Sequence, residues 1–257
     1  MKTHIRKIAT YTGLLAGILA MAGSGLMGQE RFSTIRGTVR DASGAAVPDV
    51  AVTIVNSETS RALTAVTDGT GVYIVRSVEP GRYSATFERT GFARTEIKEV
   101  LVLLGKDSIA DATLEVGATQ QVLQVTEAAP LIDTGGVTVA ANVTSEEFGL
   151  LPKARSFQSV ALLSPGVNSG QVEGGYQVNG ASGAENQFFV DGVSTNSLVD
   201  GRSRQNGAFE FLQEVQVKTG GIDAEYGGAL GGVISAITRS GGNQLHGEAH
   251  YYYAGNA

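Results

Sequence analysis

The residues best suited to chemistry stand near the end of the chain, where His246-Gly247-Glu248-Ala249-His250 sets two imidazoles and a carboxylate at alternate positions. On a strand, side chains at i, i+2 and i+4 leave from one face, so these three have the geometry to hold a divalent cation. Their order is not the His-Glu-x-x-His of helical zinc proteases. The same alternation describes the wet face of a strand whose other face carries Leu245, Gly247, Ala249, Tyr251 and Tyr253. That second reading is preferred, and no metal is expected.

Other reactive constellations are poorer. Outside this cluster the only histidine is His4, which leaves little for Ser-His-Asp chemistry. The chain has no cysteine, which removes disulfides, thiolate metal sites, a sulfur nucleophile and a lipidated cysteine. No Gly-x-Ser-x-Gly elbow follows residue 28. Gly105-Lys106 is followed by Asp107 rather than the Ser or Thr that a phosphate loop requires. The glycine run at 227–232 lacks dinucleotide spacing. The expectation is no catalytic residue, no cofactor and no enzyme.

Composition narrows the class. A net charge of −6 and a pI near 5.1, without a basic run beyond the N-terminus, argue against nucleic acid as a partner. Charged residues are 17%, against about 25% in ordinary soluble domains. With 35 glycines and only 5 prolines, tight turns and close backbone approaches are expected to dominate over helices.

Residues 1–28 read as an export address. Lys2, Arg6 and Lys7 precede an apolar run from Ile8 to Ala22, and the small residues Gly23, Ser24 and Gly25 open a stretch in which a cut falls between Gly23 and Gln29. The alternative, an uncleaved anchor, meets a run shorter than the roughly 20 residues a helix needs to span a bilayer. No later segment is long and apolar enough for a spanning helix, so a membrane role must use strands.

From 29 to 117 the hydrophobic period is two. Val50, Val52 and Ile54 alternate with Ala51, Thr53 and Val55, and Tyr83, Ala85 and Phe87 alternate with polar neighbours. Further strands are expected at Ile35–Val39, Leu63–Thr67, Gly71–Val75, Ile97–Leu103 and Ser108–Leu114. They are separated by Asp41-Ala42-Ser43-Gly44, Asp68-Gly69-Thr70-Gly71 and Glu79-Pro80-Gly81. Seven short strands with regular turns predict a compact antiparallel sandwich, with Tyr73, Tyr83, Phe87 and Phe92 in its core.

The segments Ile35-Arg36-Gly37-Thr38-Val39, Val50-Ala51-Val52-Thr53-Ile54, Gly71-Val72-Tyr73 and Pro80-Gly81-Arg82-Tyr83, leading to Gly91-Phe92, resemble the carboxypeptidase regulatory-like family. The resemblance implies a transthyretin-like (prealbumin-like), carbohydrate-binding-like β-sandwich. It also implies a non-catalytic module that holds sugar or protein, or that acts as a spacer.

Residues 118–142 loosen into an Ala-, Thr- and Gln-rich linker. Within it, Gln121-Val122-Leu123-Gln124-Val125-Thr126-Glu127 alternates in isolation, which suits capture by strand addition. Its place resembles that of a TonB box, the peptide taken by the energy-transducing protein TonB, although Gln121 stands where an acid is commoner. An ordinary linker, or a last sandwich strand, is the alternative.

Residues 143–240 shift again in composition, with 19 of the 35 glycines lying from Gly166 onward. Short helices are expected at Glu146–Leu151 and Arg155–Leu163. Strands are expected at Gln187–Val190, closed by Asp191-Gly192, and at Glu214–Lys218 and Gly232–Thr238, giving a small α+β unit. Leu151-Pro152 through Arg155-Ser156-Phe157, Val178-Asn179-Gly180, Phe188-Phe189-Val190-Asp191-Gly192, Phe211–Val217, Ala224-Glu225-Tyr226-Gly227 and Gly231-Gly232-Val233-Ile234 resemble, in order and spacing, the plug of TonB-dependent outer-membrane receptors of the Oar-like branch. That resemblance implies transport at the cell outer membrane. Its partners would be a TonB-type protein, the receptor barrel and an imported ligand such as carbohydrate. Residues 241–257 then read as a first barrel strand, and a barrel of some 22 strands would have to follow. The chain is therefore expected to be a fragment of a receptor; the alternative is a soluble exported module that binds carbohydrate or protein.

Overall fold

The computed structural model describes residues 31–117, 138–148, 156–170, 175–197, 199–201, 203, 209–245, 247 and 249. Eight strands build the first unit: β1 (Ser33–Asp41), β2 (Ala51–Asn56), β3 (Ala62–Val66), β4 (Val72–Val78), β5 (Gly81–Glu88), β6 (Thr95–Val102), β7 (Asp107–Ile109) and β8 (Ala112–Leu114). One sheet runs β3-β2-β5-β6, antiparallel throughout. The other centres on β1, antiparallel to β4 and parallel to both β7 and β8. Alternating residues from the two sheets fill the space between them, among them Ile35, Val39, Val52, Ile54, Tyr73, Phe87 and Ile97. Tyr73 and Phe87 meet edge to face at 5.7 Å, and the Tyr73 hydroxyl donates to the Ala110 carbonyl at 2.7 Å. Tyr83 is buried as well, and Phe92 packs half-buried against the cluster.

Two sequence expectations change here. The run Ser108–Leu114 is not one strand but two, and the sandwich is not wholly antiparallel. The break lies at Ala110-Asp111, where the Asp111 carboxylate accepts the Thr38 N–H at 2.6 Å and the Thr38 hydroxyl at 3.0 Å. That capture turns the backbone aside before β8 rejoins β1. Gly37 sits opposite this bend, where a Cβ would come within 2.1 Å of the Ala110 carbonyl oxygen, so only glycine allows the approach.

The second unit is a five-stranded mixed sheet, β13-β12-β15-β14-β9. Its strands are β9 (Val139–Thr144), β12 (Gln187–Val190), β13 (Val193–Ser194), β14 (Leu212–Gly220) and β15 (Val233–Thr238); β10 (Val167–Ser169) and β11 (Tyr176–Val178) form a separate hairpin. β12 and β15 are parallel, and the other neighbours in the sheet are antiparallel. The strands expected at 187–190, 214–218 and 232–238 are present, with ends shifted by a residue or two. Val139–Thr144 also joins the sheet, so the unit starts inside the stretch read as linker.

The helix expected at Arg155–Leu163 is a 3-10 helix, Phe157–Leu163, and the one at Glu146–Leu151 appears as α1 (Ser145–Phe148). Residues 149–155 lie outside the described residues. Phe148, Phe157, Val160 and Ala161 cover one face of the sheet against Phe188, Val215, Val217 and Ile234. Phe189, Val233 and Tyr226 form a smaller cluster on the other face. In the segment expected to begin a barrel, Gln244, Leu245, Gly247 and Ala249 belong to no strand; the other residues from 246 to 257 lie outside the described residues.

Candidate functional site

β14 divides the chemistry of the second unit. Leu212, Val215 and Val217 enter its main core, while Glu214, Gln216 and Lys218 alternate onto the opposite face. A strand at a solvated face would leave those three in water. Here they are 2%, 2% and 3% exposed. Buried polar groups are costly unless they are bonded, so each should have a partner, and each does.

Glu214 and Gln216 are covered by the β6–β7 turn of the sandwich. Leu104, fully buried at its tip, donates its N–H to both Glu214 carboxylate oxygens at 3.0 and 3.2 Å. Its carbonyl accepts Gln216 Nε2 at 2.5 Å and Asn142 Nδ2 at 3.1 Å. Asn142, on β9, also donates to Glu214. Burial pushes the Glu214 carboxyl above its ordinary range, opposed by the Asn142 and Leu104 hydrogen bonds.

Lys218 points to the Ala224–Gly227 landmark. Its Nζ lies 4.7 Å from the Tyr226 ring centroid and 3.3 Å from the Tyr226 hydroxyl, with Asp223 at 4.0 Å. Tyr226 itself is buried against Phe189, whereas Glu225 and Gly227 are exposed. Asp191 holds a left-handed backbone (φ 50°) beside Gly192 (φ 77°). Its carboxylate accepts the Thr238 N–H at 2.9 Å and the Thr238 hydroxyl at 2.8 Å, tying the end of β12 to the end of β15. Asn186 is fully buried; it accepts from the Gly232 N–H at 2.9 Å and donates to the Tyr176 carbonyl at 2.5 Å. Gly231 leaves it room, since a Cβ there would lie 2.3 Å from Asn186 Oδ1. Asp191, Tyr226 and Asn186 thus act as architecture: they fasten turns and strand ends.

The candidate coupling segment, Gln121 to Glu127, lies outside the described residues, as do His246, Glu248 and His250. Among the described residues no group of three or more His, Cys, Asp or Glu side chains is placed to hold a metal. A cavity of about 730 Å³ opens on the sandwich between Asp49, Glu88, Arg89, Phe92 and Arg94. Three of its four charges are engaged: Arg94 pairs with Glu88 at 3.2 Å, and Arg89 donates to the Pro48 carbonyl and lies over the Phe92 ring. Sequence reasoning missed Leu104, Asn142, Glu214 and Gln216. The one available signal was a Glu and a Gln alternating with the buried Val215 and Val217.

A two-sheet module seated on a compact mixed sheet is matched by two family models. Residues 34–115 match the carboxypeptidase regulatory-like domain, and residues 132–233 match the TonB-dependent receptor plug domain. The chain thus holds a carboxypeptidase regulatory-like domain followed by a TonB-dependent receptor plug domain. It is 34% identical over 254 residues to the TonB-dependent transporter Oar of Myxococcus xanthus, covering 95% of this chain and 24% of that protein. It is 29% identical over 163 residues to the ferrienterobactin receptor of Escherichia coli (strain K12), covering 56% of this chain and 20% of that protein. The chain therefore spans a quarter or less of the length of these curated relatives. Among solved structures, a catechol 1,2-dioxygenase from Acinetobacter aligns at 14% identity with a TM-score of 0.29, over 42% of this chain and 60% of that one. That likeness is too slight to bear on activity.

Proposed function

We propose that this chain supplies the periplasmic and lumenal parts of an outer-membrane, TonB-driven importer, with residues 139–240 as the plug that gates ligand passage through the receptor barrel. Residues 1–28 serve as the export signal, 29–117 as the sandwich, 118–138 as the linker and 241–257 as the first barrel strand. Gln121 to Glu127 form the peptide that a TonB-type protein captures by strand addition. The imported ligand is carbohydrate or another solute, and the chain catalyses no reaction. The observation that carries this reading is the placement of β9. The strand that follows the linker is an edge strand of the plug sheet, bonded along its length to β14 and, among the described residues, to no other strand. A pull on the linker therefore acts first on the sheet's outermost strand.

In-cell cysteine crosslinking tests this, in the full-length receptor and a TonB-type protein bearing a cysteine on its binding edge. These 257 residues hold no cysteine of their own, and any cysteine elsewhere in the receptor is first replaced by serine. Val122→Cys and Gln124→Cys should crosslink, and a Val122→Pro/Gln124→Pro variant should lose ligand uptake while still reaching the outer membrane. Absence of crosslinks at every position from 121 to 127, with uptake intact in the proline variant, would sink the assignment.

A further inference from the structure

Three turns at one end of the sandwich touch the plug. The β6–β7 turn delivers Leu104 to Asn142, Glu214 and Gln216. The β4–β5 turn offers the Pro80 carbonyl to Gln213 Nε2 at 2.8 Å, and nearby Arg82 pairs with Glu146 of α1 at 2.7 Å. The β2–β3 turn offers the carbonyls of Glu58 and Thr59 to the Asn243 N–H and Nδ2 at 3.1 and 2.9 Å. The plug side of this contact comes from β9, α1, β14 and the stretch after β15, so it gathers both chain ends of the plug. At its centre a single backbone unit, Leu104, has its donor and its acceptor saturated by three side chains of the β9–β14 pair. Docking therefore desolvates the N–H and carbonyl of Leu104 together with the Glu214 carboxylate, and this is tolerable only while all of them remain paired.

We infer that the sandwich is a clamp on the plug's edge strand: β9 cannot be peeled past Asn142 while the Leu104 turn is docked. β9 pairs with β14 in the order Val139–Gly220, Ala140–Lys218, Ala141–Val217 and Asn142–Gln216. Unzipping from the linker end releases three positions and then meets Asn142, whose side chain is bonded to both the sandwich and Glu214. Freeing it leaves Glu214 and the Leu104 carbonyl without one of their partners inside a buried contact. Undocking of the sandwich is the step that must precede. The clamp stands on the geometry alone; its consequence for a TonB-driven pull rests on the function proposed above.

The test uses the full chain and a reversible staple. A Cβ built at Gly242 lies 3.9 Å from Glu58 Cβ, a separation that suits a disulfide. In Glu58→Cys/Gly242→Cys, oxidation should slow hydrogen exchange of the Val143 amide, which faces β14, by about tenfold or more relative to the reduced protein, because its opening route has been closed. Exchange in β2 and β5 should not change. Glu214→Ala should speed exchange at Val143, and oxidation of the staple in that background should restore protection. If Val143 exchanges equally fast in oxidised and reduced protein, β9 opens with the sandwich docked and the clamp is overturned. No TonB-type protein is present, so failure here and failure of the crosslinking experiment are distinguishable.

Discussion

Asn186→Ala should loosen the plug and spare the sandwich. Asn186 is fully buried, and its amide gives the Gly232 N–H an acceptor and the Tyr176 carbonyl a donor. Gly232 is itself buried, so its N–H has little access to replacement water. A stranded buried donor costs about 1–3 kcal/mol, and loss of the second bond adds about 0.5–1.5 kcal/mol. The plug should therefore lose roughly 2–4 kcal/mol, which predicts amide exchange in β11 and β15 faster by about thirty- to a thousandfold, at about 1.4 kcal/mol per factor of ten. The sandwich strands share no partner with Asn186 and should keep their rates. Asn186→Asp sharpens the reading, because it keeps an acceptor for Gly232 but turns an ionised oxygen toward the Tyr176 carbonyl. Its folded pKa is then raised, so its stability is present below the unfolded value and lost as pH rises through the folded one. The Asp variant should gain on the Ala variant as pH falls from neutral. If Asn186→Ala changes β15 exchange by less than about threefold, or the two variants keep a constant ratio across pH, the assignment of Asn186 as the plug's central tie is wrong.

Two further expectations follow from buried groups. Burial raises the Glu214 carboxyl above its usual 4.5; Asn142, the Leu104 N–H and Lys106 oppose the rise, and Glu147 adds to it. Its contribution to docking is thus present below the ordinary carboxylate range and lost as pH rises through the docked value. Protection of the Leu104 amide, corrected for intrinsic exchange, should increase on acidification, and Glu214→Gln should flatten that dependence. Tyr73→Phe removes the buried bond to the Ala110 carbonyl and should lower sandwich stability by about 1–2 kcal/mol in chemical denaturation, leaving plug exchange unchanged.

Much of the fold was legible because alternation and turn chemistry act locally. Asp68, for example, accepts the N–H groups of Thr70 and Val72 at 2.8 and 3.0 Å and makes its own turn wherever it stands. Alternation says nothing about strand direction, so the parallel β1–β7 and β1–β8 pairs were invisible. Nor does it separate a 3-10 from an α-helix over seven residues: Phe157 and Val160, three apart, would share a face in either. The docking contact was hidden for a different reason. Glu214 and Gln216 have the polarity of a wet face, and what dries them is Leu104, about 110 residues away in the chain.

The chain leaves the sandwich at the end opposite the clamp. Phe92 bridges Val116, and the Gly117 N–H bonds the Gly91 carbonyl, beyond the end of β5 that pairs with Ala51. The Leu104 turn is at the other pole, where Asn142 of β9 docks against it. β5 has 8 residues, which separates the two poles by roughly 26 Å. The covalent exit at Gly117 and the docking contact at Leu104 therefore hold the sandwich by opposite ends, so undocking at one pole leaves the other untouched.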